Sequence, residues 1–110
     1  MSKVFEPESR LEDWLPSSLH NTVVNPTPET HVSILDDKAI LLNLDTGAYH
    51  ALNSVGTVIW ENIAPDCTLA DIHAILCDRY EVAEETARED LLELVIRLYH
   101  LGVVTLERRP

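Results

Sequence analysis

LDTGAYHALNSVGTVIW, residues 44–60, decides the fold. Asp45, Thr46 and Gly47 are turn residues, and the run Ala48 to Leu52 that follows has strand character. Asn53 or Ser54 then offers a side-chain oxygen to cap a helix. Val55, Val58, Ile59, Trp60 and Ile63 recur at helical spacing until Pro65 stops the pattern. Gly56 sits in the first turn of that helix, where it costs propensity, so its missing side chain is expected to admit close packing against a sheet.

Upstream, HVSIL and KAILLNL repeat the strand pattern, separated by the turn chemistry of Asp36-Asp37, with Ile40, Leu42 and Leu44 sharing one face. With AYHAL they predict a three-stranded antiparallel meander. Downstream, Thr68 with Asp71 has the form of a capping box for a second helix, whose Leu69, Ile72, Ile75, Leu76 and Tyr80 fall on a core face. Thr86 with Glu89 repeats the device for a third helix, running to Leu101 and ending at Gly102 in the C-cap position. Val103 to Leu106 offers a further short strand. Segregated strands and helices indicate α+β, and a three-stranded antiparallel sheet followed by three helices is the order of a winged helix-turn-helix-like unit.

Residues 1–25 differ in character: they are biased to acid and poor in periodic apolar positions, and four of the six prolines fall by position 28. They read as a flexible N-terminal arm with one helical turn near Leu11 to Leu15, and residues 26–110 read as the domain. Phe5, Leu11, Trp14 and Leu15 of such an arm are candidates to dock on the domain or on a partner, with Phe5 or Trp14 a candidate to fill a cleft of the domain.

With 110 residues and 45% apolar content, the chain suits one folded domain. No run approaches the ~18 apolar residues of a membrane span, and MSKVFEPESR has no apolar signal region, so a cytoplasmic protein is expected. Eight Lys and Arg against nineteen Asp and Glu give a net charge of −11, which works against a surface built for phosphates and so against nucleic acid. Cys67 and Cys77 read as reduced thiols. His73 and Cys77 stand at i, i+4 on a helix, but no further pair completes a zinc site. There is no Gly-rich phosphate loop and no credible active site, so neither an enzyme nor a cofactor is expected.

Two features point to function. In the third helix, EDLLELVIRLYHLG, apolar residues cover an arc of roughly 220°, against the 100° or more that one core contact needs. A second buried surface is implied, against another element, a second copy or a bound peptide. The run Ala48 to Leu52 also lacks the Pro, Lys or inward charge that blunts a free strand edge. Such an edge can add a peptide strand, unless Val103 to Leu106 or a second copy already pairs with it.

These residues resemble the PqqD-like family of precursor-peptide recognition domains, which serve the biosynthesis of ribosomally made, modified peptides. The resemblance rests on Gly47, Tyr49, Leu52, Asn53, Gly56, Ile59 and Trp60, on Thr68, Asp71 and Ile72, on Tyr80, and on the pattern from Glu89 to Gly102. It implies that a leader peptide pairs antiparallel with the third strand of the meander and packs between it and the third helix. By position this puts Tyr49, His50, Ala51 and Leu52 in the strand contact, with Asp90, Leu94, Arg97, Leu98 and Leu101 as the helix wall. It further implies a partner protease or tailoring enzyme, a lasso-peptide protease by preference, and leaves monomer and homodimer open. Arg97 suits a leader carboxylate but is equally placed to pair with Glu93. The alternatives are a winged-helix transcription regulator and a structural dimerisation module.

Overall fold

The computed structural model describes residues 11–109. The alternating segments form β2 (Thr30–Leu35), β3 (Lys38–Asn43) and β4 (Tyr49–Leu52), an antiparallel meander in that order. Leu35 pairs with Lys38 across a tight turn in which Asp36 takes φ 60°, a conformation that Asp tolerates better than most residues. The face turned to the core is that of Ala39, Leu41 and Asn43, all buried, whereas Ile40 and Leu42 lie half-buried on the opposite face and Leu44 is exposed.

Three helices follow: α2 (Ser54–Glu61), α3 (Leu69–Arg79) and α4 (Glu84–His100). Asn53 caps α2 by accepting from the Gly56 N–H at 2.8 Å. Thr68 and Asp71 close the expected capping box at the start of α3. For α4 the start lies earlier than the Thr86/Glu89 pattern placed it, because Glu84 and Glu85 already join the first turn, where carboxylates complement the helix dipole. Its far end closes as a Schellman motif: Val103 N–H donates to Leu98 O at 3.3 Å, Gly102 N–H to Tyr99 O at 3.0 Å, and Gly102 takes φ 77°.

Residues 11–25 depart from the expected arm. They form α1 (Leu11–Trp14), two 3₁₀ turns (Leu15–Ser17 and Leu19–Asn21) and most of β1 (Thr22–Pro26), which pairs antiparallel with β5 (Val104–Arg108). Leu15 and Val23 are fully buried, and Leu11 and Val24 nearly so. Burial of these side chains stabilises by about 1.5–3 kcal/mol each, which holds the segment against the body. Trp14 lies under the Arg108 guanidinium, 4.7 Å from its ring centre. Phe5 lies outside the described residues.

The core joins Leu15, Leu41, Leu52, Ile59, Leu69, Ile72, Leu76, Leu91, Val95 and Leu98. The result is the expected winged-helix-like α+β unit, with the β1–β5 ribbon added on another side. No helix among the described residues is long and apolar enough to cross a membrane.

Candidate functional site

β5 takes β1 as its partner, so β4 is hydrogen-bonded to β3 on one side only and its other edge is open among the described residues. The register fixes which backbone groups face that edge. Asn43 N–H donates to Ala48 O at 2.8 Å, which makes that opposed pair a hydrogen-bonded one. Alternation along an antiparallel ladder then turns His50 and Leu52 toward β3 and leaves the N–H and C=O of Tyr49 and Ala51 pointing outward.

A groove of about 430 Å³ runs beside this edge, between β4, the first turns of α2 and the exposed flank of α4. His50, Ala51, Leu52, Asn53, Val55, Gly56 and Ile59 line one side, and Asp90, Glu93, Leu94 and Arg97 the other. Gly56 makes the junction possible: a Cβ there would meet Leu52 at 3.2 and 3.3 Å and Asn53 Oδ1 at 3.3 Å, tighter than ordinary contact. The expectation of close packing at this glycine holds.

Six of the residues read from the sequence meet in the groove: His50, Ala51, Leu52, Asp90, Leu94 and Arg97. Three do not. Tyr49 is 70% exposed and its side chain points to the outer face of the sheet, so its share in the edge is its backbone. Leu98 is fully buried in the core, and Leu101 is half-buried at the helix end; neither lines the groove. On α4 the deep stripe is Ala87, Leu91, Val95 and Leu98, and the wide apolar arc arises because Leu92, Leu94 and Ile96 pack half-buried on its flanks. Asn53, Val55, Gly56, Ile59 and Glu93 were not assigned to the site from sequence. The signal for the apolar three is their i, i+1, i+4 spacing at the start of α2.

Burial pushes the His50 imidazole below its usual range, and the nearby Arg97 cation pushes it the same way. Arg97 makes no ion pair with Glu93: the one salt bridge among the described residues joins Arg109 to Glu107. The groove therefore holds one cation whose charge is not neutralised by its helix neighbour.

The exposed carboxylates of α4, Glu84, Glu85, Glu89, Asp90 and Glu93, outnumber Arg88 and Arg97, which suits a phosphate backbone poorly. At the other candidate pair, His73 Nε2 lies 2.8 Å from Glu84 O and 3.6 Å from Cys77 Sγ. A carbonyl only accepts, so Nε2 carries the hydrogen and is not free to take a proton from the thiol. Burial and the carboxylates of Asp71 and Asp66 push the Cys67 thiol up, away from a reactive thiolate. Among the described residues no group of three or more His, Cys, Asp or Glu is placed to hold a metal ion.

Among solved structures, TbiB1 in complex with the TbiA(beta) leader peptide superposes with a TM-score of 0.68 at 26% identity, covering 73% of this chain and 93% of that one. A lasso peptide synthetase B1 complexed with the leader peptide superposes with a TM-score of 0.68 at 28% identity, covering 74% and 96%. No individually curated protein matches the chain. The family model described as coenzyme PQQ synthesis protein D (PqqD) matches residues 38–104, which run from β3 through the whole groove to the start of β5. More than half of the sequence lies within that match, and the chain belongs to the PqqD family.

Proposed function

We propose that this protein is a non-catalytic adaptor that captures the leader segment of a ribosomally made precursor peptide by strand addition to β4 and delivers the precursor to a separate processing enzyme, a lasso-peptide leader protease above all. The observation that carries this reading is the open β4 edge lying beside an apolar-floored groove. Outward N–H and C=O groups of Tyr49 and Ala51 supply a ladder whose affinity is independent of sequence, and the groove side chains read alternate residues of the added strand. Both structural relatives are leader-peptide complexes, which supports a leader as the ligand of this chain as well. Delivery needs no active site of its own, since tethering the leader raises the effective concentration of the core peptide at the enzyme.

The test is titration of a labelled leader from the precursor of the same gene cluster, read by fluorescence anisotropy, with a scrambled leader as control. Saturable binding of the native leader alone is expected; equal binding of both, or of neither, would overturn the reading. For delivery, the partner protease should cleave the full precursor faster in the presence of this protein and a leaderless precursor no faster.

A further inference from the structure

The groove is charged in a definite order. On α4, Asp90, Leu94 and Arg97 follow one another at i, i+4 and i+7, so the wall reads acid, apolar, cation along about 10 Å of helix. Glu93, one residue before Leu94, adds a second carboxylate on the Asp90 side of that leucine, and the Arg97 end is the one that adjoins His50. All three charged side chains are exposed, and none of them makes an ion pair within the described residues.

The direction of α4 relative to β4 fixes how this order meets a peptide. The C-terminal end of α4 is held at Asn43, which follows Leu42, the partner of Tyr49, whereas Asp90 shares the groove with Asn53, Gly56 and Ile59 beyond the other end of β4. Thus α4 runs antiparallel to β4. The receiving sheet is wholly antiparallel, and the antiparallel ladder is the more stable per residue, so an added strand runs opposite to β4. That strand runs in the same direction as α4, and it meets the acidic end of the wall first.

Resting on the adaptor reading above, we infer that the groove selects a peptide segment in which a cation, an apolar residue and a carboxylate stand at alternate positions in that order from N to C terminus. Alternate residues of a strand share a face and lie ~6.8 Å apart. The apolar residue then sits over Leu94, Val55 and Ile59, while flexible cationic and acidic side chains reach Asp90 and Glu93 on one side and Arg97 on the other. The reversed order would place lysine against Arg97 and glutamate against Asp90 and Glu93, turning each attraction into repulsion.

The experiment compares two fluorescein-labelled peptides of identical composition in a threonine host, one with Lys, Leu and Glu at alternate positions and one with Glu, Leu and Lys. Each is titrated into the full chain and into the Asp90→Lys/Arg97→Glu double variant at low and high salt. The forward peptide should bind about tenfold more tightly, from exposed pairs that each contribute a few-fold. High salt should shrink the difference, and the double variant, altered only at exposed positions, should invert it. Equal affinity for the two orders, an unchanged preference in the double variant, or failure of both while the native leader binds would overturn the inference and leave the adaptor reading standing. Failure of the native leader as well would overturn both.

Discussion

The side-chain amide of Asn43 joins the meander to α4. Its Oδ1 accepts from the N–H of Asp45 at 2.9 Å and of Thr46 at 3.3 Å, and its Nδ2 donates to the carbonyls of Leu101 at 3.1 Å and Gly102 at 3.2 Å. One residue thus closes the β3–β4 turn and satisfies the end of the helix that walls the groove. Asn43→Ala should lower unfolding free energy by about 2 kcal/mol, because the part-buried bonds to the Leu101 and Gly102 carbonyls and to the β3–β4 turn are lost together; urea denaturation measures it, with exposed Glu81→Ala as a control expected within about 0.5 kcal/mol. Gly102→Ala should also destabilise, since φ is 77° and the new Cβ would stand 2.9 Å from Asn43 Nδ2. His50 gives a pH signature. Its folded pKa is lowered, so the unfolded chain binds the proton more readily, and stability falls as pH drops below the unfolded value of about 6.5. His50→Gln should flatten that part of the stability profile. The sequence disclosed His50 and Asn43 as residues on a strand, but not their partners, which are brought in from α4 across about fifty positions of chain.

At the scale of elements, β4 separates two roles by alternation. Ala51→Pro removes an N–H that faces the open edge and leaves the β3–β4 ladder intact, a position where strands accept proline. The variant should stay folded by circular dichroism and lose about tenfold in leader affinity, from one hydrogen bond lost and its partner carbonyl left unpaired. On α4 the two leucines assigned together to the wall divide: Leu94 lines the groove and Leu98 is fully buried. Leu94→Glu should weaken binding in a folded protein, whereas Leu98→Glu should prevent folding by burying an unpaired charge. Helix periodicity made the apolar arc visible but could not divide it, because an apolar residue at the margin of an arc satisfies a core and a groove equally well. Caps were legible where the chemistry was local, as at Asn53 and Thr68; at α4 the carboxylates of Glu84 and Glu85 extended the helix beyond its apparent box.

For the whole molecule, residues 11–26 are the largest revision. Leu15→Ala should cost about 2–5 kcal/mol, in the range for a leucine truncated in a close-packed core. Deletion of residues 1–22 should lower the melting temperature sharply, since it removes Leu11 and Leu15 from the core and the first residue of β1 from β5. A truncated chain as stable as the full one would show that the segment before β1, with Leu11 and Leu15, is dispensable. By itself, the sequence determined the meander, the three helices with their order, the Gly56 contact and the Gly102 stop, all of which rest on turns, caps and periodicities within a few residues of one another. Only the tertiary structure decided that β5 pairs with β1 rather than β4, that Leu98 turns inward while Leu94 faces the groove, and that acid and cation are ordered along it. Those outcomes depend on contacts between segments far apart in the chain, and no local pattern records which of several compatible surfaces will meet.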